Sequence, residues 1–237
     1  MSGDVLTVIP VRGGSTRIDQ KNLQEVGDKP LVAHAIADAT AADAIERTIV
    51  STDDPKIRAE AQEYGGDAPF ERPANLATDE APTAPVITHT LDWLRDRGET
   101  FDIVCLVQAT VPFRRPGDID GAIRQLRDSP GAQSVVTVTE YADPPQWALT
   151  ETAAGYLTEY YDTGVLWGDI KRSQDLEELT YPNGAVYAAY TDVWREQESF
   201  YTKRTVGYQM PPERSLDIDE PWELELARAL YQYRQES

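Results

Sequence analysis

The chain has 237 residues and a mass of 26.4 kDa, which suits one globular domain with a full hydrophobic core. Its formal charge of −19, from 41 acidic and 22 basic side chains, argues against a nucleic-acid-binding groove. No stretch approaches the roughly 20 apolar residues that a membrane span needs. The single cysteine, Cys105, excludes a disulfide within the chain, so we expect a soluble protein of the reducing cytoplasm.

Short β-rich runs alternate with amphipathic helical stretches, which predicts an α/β fold with a mostly parallel sheet flanked by helices. The predicted strands are 5–10, 48–51, 103–107, 134–139, 185–189 and 205–208. The predicted helices are 30–42, 55–63, 82–97, 116–127, 191–197 and a last one from residue 221. Residues 103–107 are apolar at every position, which is typical of a central strand.

The regular alternation stops between residues 140 and 182, where prolines, aromatic side chains and polar residues dominate. We interpret this segment as an insertion within a single domain that spans 1–237. Aromatic side chains such as Trp147 and Trp167 more often form contacts between subunits than stack on a ligand. The insertion therefore predicts the interface of a homodimer.

A glycine-rich, cationic loop follows the first predicted strand and reads Arg12-Gly13-Gly14-Ser15-Thr16-Arg17, with Lys21 and Asn22 close behind. Backbone N–H groups at glycines and nearby cations together suit a polyphosphate. The loop matches neither the Walker pattern nor the dinucleotide G-x-G-x-x-G pattern. The alternative is an ordinary glycine turn whose charged side chains are solvated.

The string Ile9-Pro10-Val11-Arg12-Gly13-Gly14-Ser15-x-Arg17-x-x-x-Lys21-Asn22 resembles the signature of sugar-activating cytidylyltransferases, in particular N-acylneuraminate cytidylyltransferases. Further blocks similar to that family follow in the same order, at 50–54, 72–77, 106–114, 183–187 and 217–221. The resemblance implies a Rossmann-like nucleotidyltransferase fold and a homodimer. It also implies transfer of CMP from CTP to a nonulosonic acid, with Mg²⁺ as cofactor, for surface glycan biosynthesis. Thr16 departs from the lysine that many relatives carry.

The resemblance also assigns roles to individual residues. Catalytic roles fall to Arg12, Lys21 and Asp217. Nucleotide contacts fall to Arg12, Gly13, Gly14, Ser15, Arg17, Lys21, Asn22, Arg72 and Thr83. Sugar contacts fall to Gln108, Arg172, Gln174 and Asn183. Two alternatives stay open: Arg72 as a surface arginine that anchors a proline turn, and Gln108 as a turn residue that satisfies backbone groups.

Asp217 and Asp219 are two residues apart, a spacing that points both carboxylates to one side of an extended segment. Two hard oxygen ligands beside a triphosphate suit Mg²⁺, and the resemblance implies the same role. The alternative is an acidic cap for the last helix, which begins near residue 221.

Two rival functions share parts of these patterns. A CMP-Kdo synthetase fits Ser15-Thr16-Arg17, whereas Gly13-Gly14 and Lys21-Asn22 favour the sialate type. A non-catalytic nucleotide- or sugar-binding relative is the second rival.

Only five of the 22 basic side chains are lysine, and this acid-rich, lysine-poor composition suggests a halophilic host.

Overall fold

The computed structural model describes residues 3–161, 163–166 and 171–236, and its centre is a six-stranded sheet in the order β10-β6-β9-β5-β1-β4. These strands are β1 (Val5–Pro10), β4 (Arg47–Ser51), β5 (Ile103–Val107), β6 (Ser134–Glu140), β9 (Thr180–Tyr190) and β10 (Thr205–Gln209). All neighbouring pairs are parallel except those of β9, which runs antiparallel to β5 and β6. The mostly parallel sheet predicted from the sequence is therefore confirmed.

Helices cover both faces of the sheet because alternate residues of each strand point to opposite sides. The helices are α1 (Leu31–Ala41), α2 (Pro55–Glu63), α3 (Thr83–Arg95), α4 (Pro116–Asp128), α5 (Thr191–Gln197) and α6 (Pro221–Glu236). On one face, Val5 and Ile9 of β1 belong to a core shared with α1, α2 and α4. On the other face, Leu6 and Val8 belong to a core shared with α3 and α5.

The last helix closes a smaller core of its own. Leu224 and Ala227 of α6 pack with Ile18 and Val26, which lie just after the first loop. Val26 belongs to a short hairpin formed by β2 (Glu25–Val26) and β3 (Lys29–Pro30). The last helix therefore packs against the segment that directly follows the glycine-rich loop.

The predicted insertion is a long excursion between β6 and β9. It contains a hairpin of β7 (Leu149–Glu151) and β8 (Leu157–Glu159). The buried Glu159 carboxylate accepts hydrogen bonds from the backbone N–H groups of Gly164, at 2.6 Å, and Leu166, at 2.7 Å. These bonds tie the following loop to the hairpin. Trp147 is half-buried, and Trp167 lies outside the described residues.

The carboxyl ends of β1, β4 and β5 meet at one edge of the sheet, and the amino-terminal half of β9 reaches the same edge because it runs antiparallel. Ligands of open α/β sheets bind at such an edge. In the described part of the chain, no helix is both long enough and apolar enough to cross a membrane.

Candidate active site

A cleft of about 660 Å³ lies at this edge of the sheet. Most of the predicted site residues line it: Arg12, Gly14, Ser15, Arg17, Lys21, Asn22, Arg72, Thr83, Gln108, Asp217 and Asp219. They come from segments that are far apart in sequence, and the fold brings them together. The cleft is the natural candidate for the site that the sequence predicts.

The two glycines of the first loop serve different purposes. The backbone N–H of Gly13 donates to Asp53 Oδ1 at 3.2 Å, and a Cβ on Gly13 would lie 2.8 Å from the Cβ of Asp54. Asp54 cannot easily move away because its carboxylate caps α2, accepting from the Lys56 N–H at 2.7 Å. A Cβ added at Gly14, by contrast, would meet nothing within 4 Å, and Gly14 lines the cleft. Gly13 is therefore a packing requirement, whereas Gly14 faces the ligand space.

Lys21 joins the loop to the opposite wall of the cleft. Its ammonium donates to the carbonyl of Ile218 at 3.0 Å and to Asp219 Oδ1 at 2.9 Å. Nearby, Asn22 Nδ2 donates to the carbonyl of Arg12 at 3.1 Å, which holds the loop in shape. The side chain of Lys21 is 16% exposed, so its charge is directed into the cleft rather than into bulk solvent.

The other two cations of the loop are also paired with carboxylates. Arg12 Nη1 lies 2.6 Å from Asp79 Oδ1, and Arg17 Nη1 lies 3.2 Å from Glu220 Oε1. Both acidic partners are substantially exposed, and exposed ion pairs of this kind contribute little stability. The two arginines can therefore exchange their carboxylates for the oxygens of an anionic ligand at low cost.

Arg72 connects the ends of two strands beneath the cleft. Its guanidinium donates to the carbonyl of Val11 at 2.9 Å and to Ser51 Oγ at 3.2 Å, and it also contacts the carbonyl of Ser51. Burial lowers the pKa of Arg72 to about 10, which still leaves it charged at neutral pH. The interpretation of Arg72 as a surface arginine is wrong, because the residue is buried.

Asp217 and Asp219 line the cleft, while Ile218 between them is buried against α6. Burial raises the pKa of Asp217 and the neighbouring Asp219 carboxylate adds to the shift, whereas a hydrogen bond with Thr110 and the nearby Lys21 oppose it. Among the described residues, the buried Oδ1 of Asp217 has no hydrogen-bond partner. An unpaired, buried carboxylate oxygen beside a second carboxylate fits a hard cation.

The alternative role of these carboxylates as a helix cap receives no support. At the start of α6, the backbone N–H groups of Asp219 and Glu220 both donate to Glu223 Oε2 at 2.7 Å. The capping acceptor is thus Glu223. No cluster of three or more His, Cys, Asp or Glu side chains suited to a metal occurs in the described ranges, so phosphate oxygens and water would have to complete a cation site here.

Gly184 allows two of the cleft side chains to approach the same strand. Its φ of +77° is in the left-handed region, and a Cβ would lie 2.8 Å from Asp217 Oδ2 and 3.0 Å from Gln108 Oε1. Gln108 follows β5, and Asp217 precedes α6. The missing side chain at Gly184 is what lets the Gln108 amide and the Asp217 carboxylate converge.

Three predicted sugar-contact residues do not line this cleft. Arg172 and Gln174 are exposed in the insertion, where Arg172 Nε pairs with Asp175 Oδ2 at 3.0 Å. For Asn183 the structure differs from the expectation. Its buried amide accepts from Thr137 Oγ1 at 2.6 Å and donates to Ser215 Oγ at 2.8 Å. Asn183 is therefore occupied in joining β6, β9 and the segment before Asp217.

The sequence pattern of the family described as cytidylyltransferase matches residues 6–236. The chain belongs to the cytidylyltransferase family. The match covers every element of the central sheet and the whole cleft, so the nucleotidyltransferase activity of the family applies to this enzyme.

Two curated relatives show how this cytidylyltransferase compares along its length. It is 30% identical over 236 residues to the pseudaminic acid cytidylyltransferase of Campylobacter jejuni serotype O:2, covering 98% of both chains. It is 32% identical over 233 residues to the N-acylneuraminate cytidylyltransferase of Escherichia coli O18:K1:H7. That match covers 98% of this chain and 53% of the longer E. coli protein. The resemblance to sialate-type cytidylyltransferases is confirmed.

A solved structure supports the fold. The structure of a CMP:2-keto-3-deoxy-manno-octonic acid synthetase complexed with CTP superposes with a TM-score of 0.69. The two chains share 20% identity, and the superposition covers 99% of this chain and 100% of that one. The predicted Rossmann-like nucleotidyltransferase fold is confirmed.

The sequence analysis of this cytidylyltransferase did not single out Asp79, Thr110 and Tyr187, which line the cleft, or Glu220, which pairs with Arg17 beside it. Tyr187 lies in the 183–187 block, so its motif position was a usable signal; burial raises the pKa of its hydroxyl. Glu220 lies within the 217–221 block, but at a position that the family pattern leaves open. Asp79 lies outside every block, and single acidic residues are common along this chain, so only its ion pair with Arg12 reveals it.

Proposed function

We propose that this enzyme transfers CMP from CTP to the anomeric hydroxyl of a nonulosonic acid and releases pyrophosphate, a step of surface glycan biosynthesis. The observation that carries the proposal is the convergence of the cationic loop and the Asp217/Asp219 pair on one cleft at the end of the parallel sheet. The curated relatives, named for pseudaminic acid and N-acylneuraminate, support a sugar acid of this class as the acceptor.

The loop supplies the triphosphate site. Gly14 and Ser15 leave backbone room for phosphate oxygens, and Arg12 and Arg17 exchange their carboxylate partners for phosphate. Lys21 is positioned to stabilise negative charge on the departing pyrophosphate. No covalent intermediate is required: the sugar hydroxyl attacks the α-phosphorus in line, the bond to the pyrophosphate oxygen breaks, and catalysis comes from orientation and charge neutralisation.

Asp217 and Asp219 would hold Mg²⁺ in this proposal. The unpaired Oδ1 of Asp217 and the shared orientation of the two carboxylates toward the cleft are the observations that fit it. When bound, the ion would neutralise phosphate charge and favour deprotonation of the attacking hydroxyl. The burial that raises the pKa of Asp217 also favours its pairing with a cation, because an ionised carboxylate in this position needs one.

The sugar acid would bind between Gln108 and the insertion. Gln108 lies beside Asp217, and Arg172 and Gln174 come from the insertion, 140–182. Within one chain Arg172 lies outside the cleft lining, so we place it in the site of the other subunit of a homodimer. An exposed aromatic group on and beside the hairpin supports this interface: Tyr156, which is 74% exposed, with Tyr160 and Tyr161.

The test is pyrophosphate release from CTP with Mg²⁺, in molar potassium chloride, against sialic, legionaminic and pseudaminic acids and Kdo. Release with one nonulosonic acid supports the proposal and identifies the acceptor. Release with Kdo alone assigns the enzyme to the CMP-Kdo type. Tight CTP binding with no release across the panel identifies a non-catalytic relative.

The acidic, lysine-poor composition supports a halophilic host, and the single cysteine, Cys105, fits a reducing cytoplasm. A melting series in potassium chloride tests this part separately from catalysis. Stability should rise from low to molar salt, because screening reduces repulsion among the excess carboxylates. A melting temperature that falls over that range would remove the halophilic interpretation.

A further inference from the structure

Arg114 closes the 106–114 sequence block but has no part in the site described above. Its side chain is 0% exposed and lies below the floor of the cleft. Arg114 Nη1 donates to two backbone carbonyls, that of Gln108 at 3.0 Å and that of Ala185 at 3.1 Å. One guanidinium nitrogen thus joins the end of β5 to the middle of β9.

A contribution to the stability of the fold does not by itself explain a buried arginine at position 114. The counter-charge is Asp38 of α1, whose Oδ2 lies 3.5 Å from Arg114 Nη2, too far for a strong charge-assisted hydrogen bond. In the described part of the chain, Nε and Nη2 of Arg114 have no hydrogen-bond partner. A buried ion pair with imperfect partners is commonly no more stabilising than well-packed apolar side chains.

One of the two carbonyls that Arg114 binds belongs to a residue of the cleft, and the other belongs to the residue that follows a cleft residue. Gln108 lines the cleft itself, and Ala185 follows Gly184. Gly184 is the residue against which Gln108 Oε1 and Asp217 Oδ2 converge. A shift of either carbonyl would therefore change the distance between the amide and the carboxylate on the ligand side.

We infer that Arg114 is a positioning residue for the acceptor: it holds Gln108 and Gly184 in the register at which the sugar acid meets Gln108 and Asp217. The inference rests on the proposed function of the cleft. It concerns only the β5–β9 side, because the CTP loop is held by separate contacts of Lys21, Asn22 and Arg72.

The experiment compares Arg114→Met and Arg114→Lys with the control Arg214→Met. Arg214 is a matched control because it also pairs with a buried carboxylate, Asp118, at 2.8 Å, but contacts no cleft residue in the described hydrogen bonds. Melting temperature, KM for CTP, KM for the sugar acid and kcat are measured for each folded variant. If Arg114→Met does not fold, the lysine variant supplies the kinetic comparison.

We expect kcat/KM for the sugar acid to fall about tenfold or more in Arg114→Met, with KM for CTP within about twofold of wild type. The value of kcat/KM for the sugar acid in Arg114→Lys should lie between those of wild type and Arg114→Met. An ammonium keeps the charge but cannot bind several acceptors in the fixed geometry of a guanidinium. Arg214→Met should lose stability and keep both KM values.

Unchanged kinetics with the sugar acid in a folded Arg114 variant would overturn the inference. A fall in kcat/KM for the sugar acid with an unchanged KM for CTP in Arg214→Met would overturn it as well. In either case an active wild-type enzyme leaves the proposed function standing. A wild-type enzyme that is silent with every sugar acid overturns the proposed function itself, and the inference with it.

Discussion

Lys21 Nζ lies 2.9 Å from Asp219 Oδ1, a contact between residues 198 positions apart. The same ammonium donates to the carbonyl of Ile218, so it joins the loop after β1 to the segment before α6. The two sequence blocks at opposite ends of the chain are therefore two walls of one cleft. This contact is the most direct link between the cationic loop and the carboxylate pair.

Lys21→Ala should reduce catalysis much more than stability. We expect kcat to fall by about 100-fold or more, since in the proposed mechanism the ammonium stabilises the negative charge on the departing pyrophosphate. The free energy of unfolding should change by only about 1 kcal/mol, because partly exposed ion pairs contribute little. Lys56→Ala, an exposed lysine of α2, is the control and should leave both quantities unchanged. Normal turnover in Lys21→Ala would show that the loop has been misinterpreted.

The glycine pair offers a comparison between neighbouring positions. Gly13→Ala should destabilise the fold by roughly 1–3 kcal/mol, because its methyl group collides with the capping residue Asp54. Gly14→Ala should fold normally, since nothing lies within 4 Å of the added carbon, and should weaken CTP binding. Urea unfolding and CTP titration separate the two effects. Equal stability of the two variants would contradict the packing argument.

Asp217→Asn should lower activity while it leaves the stability of the ligand-free protein unchanged or increases it. Burial raises the pKa of Asp217, so the ionised carboxylate costs more free energy in the folded protein than in the unfolded chain. The neutral, isosteric amide removes that cost, and the ligand-free variant should melt at the same temperature as wild type or higher. Turnover should fall by about 100-fold or more.

A melting experiment with and without Mg²⁺ and CTP checks the assignment. The two ligands together should raise the melting temperature of wild type but not that of Asp217→Asn. An equal ligand-induced rise in both proteins would exclude Asp217 from the cation site.

Much of this fold was predictable because its core strands are short apolar segments, each followed by an amphipathic segment that is typical of a helix. The predicted bounds for β5 and α2 coincide with those observed, and the first strand leads into the cleft as expected. The start of β9 was missed by five residues, at Thr180 rather than 185. Residues 180–182 pair with 138–140 across a register shift, a long-range contact that no local pattern reports.

Within the candidate site, spacing predicted the shared face of Asp217 and Asp219 because the segment between them buries one side chain. Spacing could not predict the place of Asn183, since its partners Thr137 and Ser215 are distant in sequence. Nor could it separate Gly13 from Gly14, whose difference depends on Asp54 alone. A single sequence does not predict the role of a residue when that role depends on side chains distant in the chain.

Asp38 should make stability depend on pH in mildly acidic solution. Burial raises its pKa to about 6, well above the ordinary value, so the folded protein binds this proton more tightly than the unfolded chain does. The resulting stabilisation is complete below about pH 4 and is lost as the pH rises through about 6, a change on the order of 3 kcal/mol.

Asp38→Asn isolates that contribution, because the other titrating groups are common to both proteins. Urea unfolding of wild type and variant at pH 4.5 and pH 7 gives the difference in the free energy of unfolding. We expect the wild type to lose stability relative to the variant as the pH rises between these values. A difference that stays constant would mean that Asp38 titrates near its ordinary pKa.

Asp79→Asn should improve the affinity for CTP. Asp79 pairs with Arg12 at 2.6 Å, so in the proposed site the nucleotide displaces Asp79 before the guanidinium binds phosphate. An exposed pair contributes about 0.2–1 kcal/mol, which corresponds to a KM for CTP lowered by roughly 1.4- to 5-fold. The control is Asp96→Asn, which removes the same charge from an exposed position at the end of α3. An equal decrease in KM for CTP in both variants would assign the effect to net charge. An increase in KM for CTP in Asp79→Asn would instead indicate that Asp79 contacts the nucleotide.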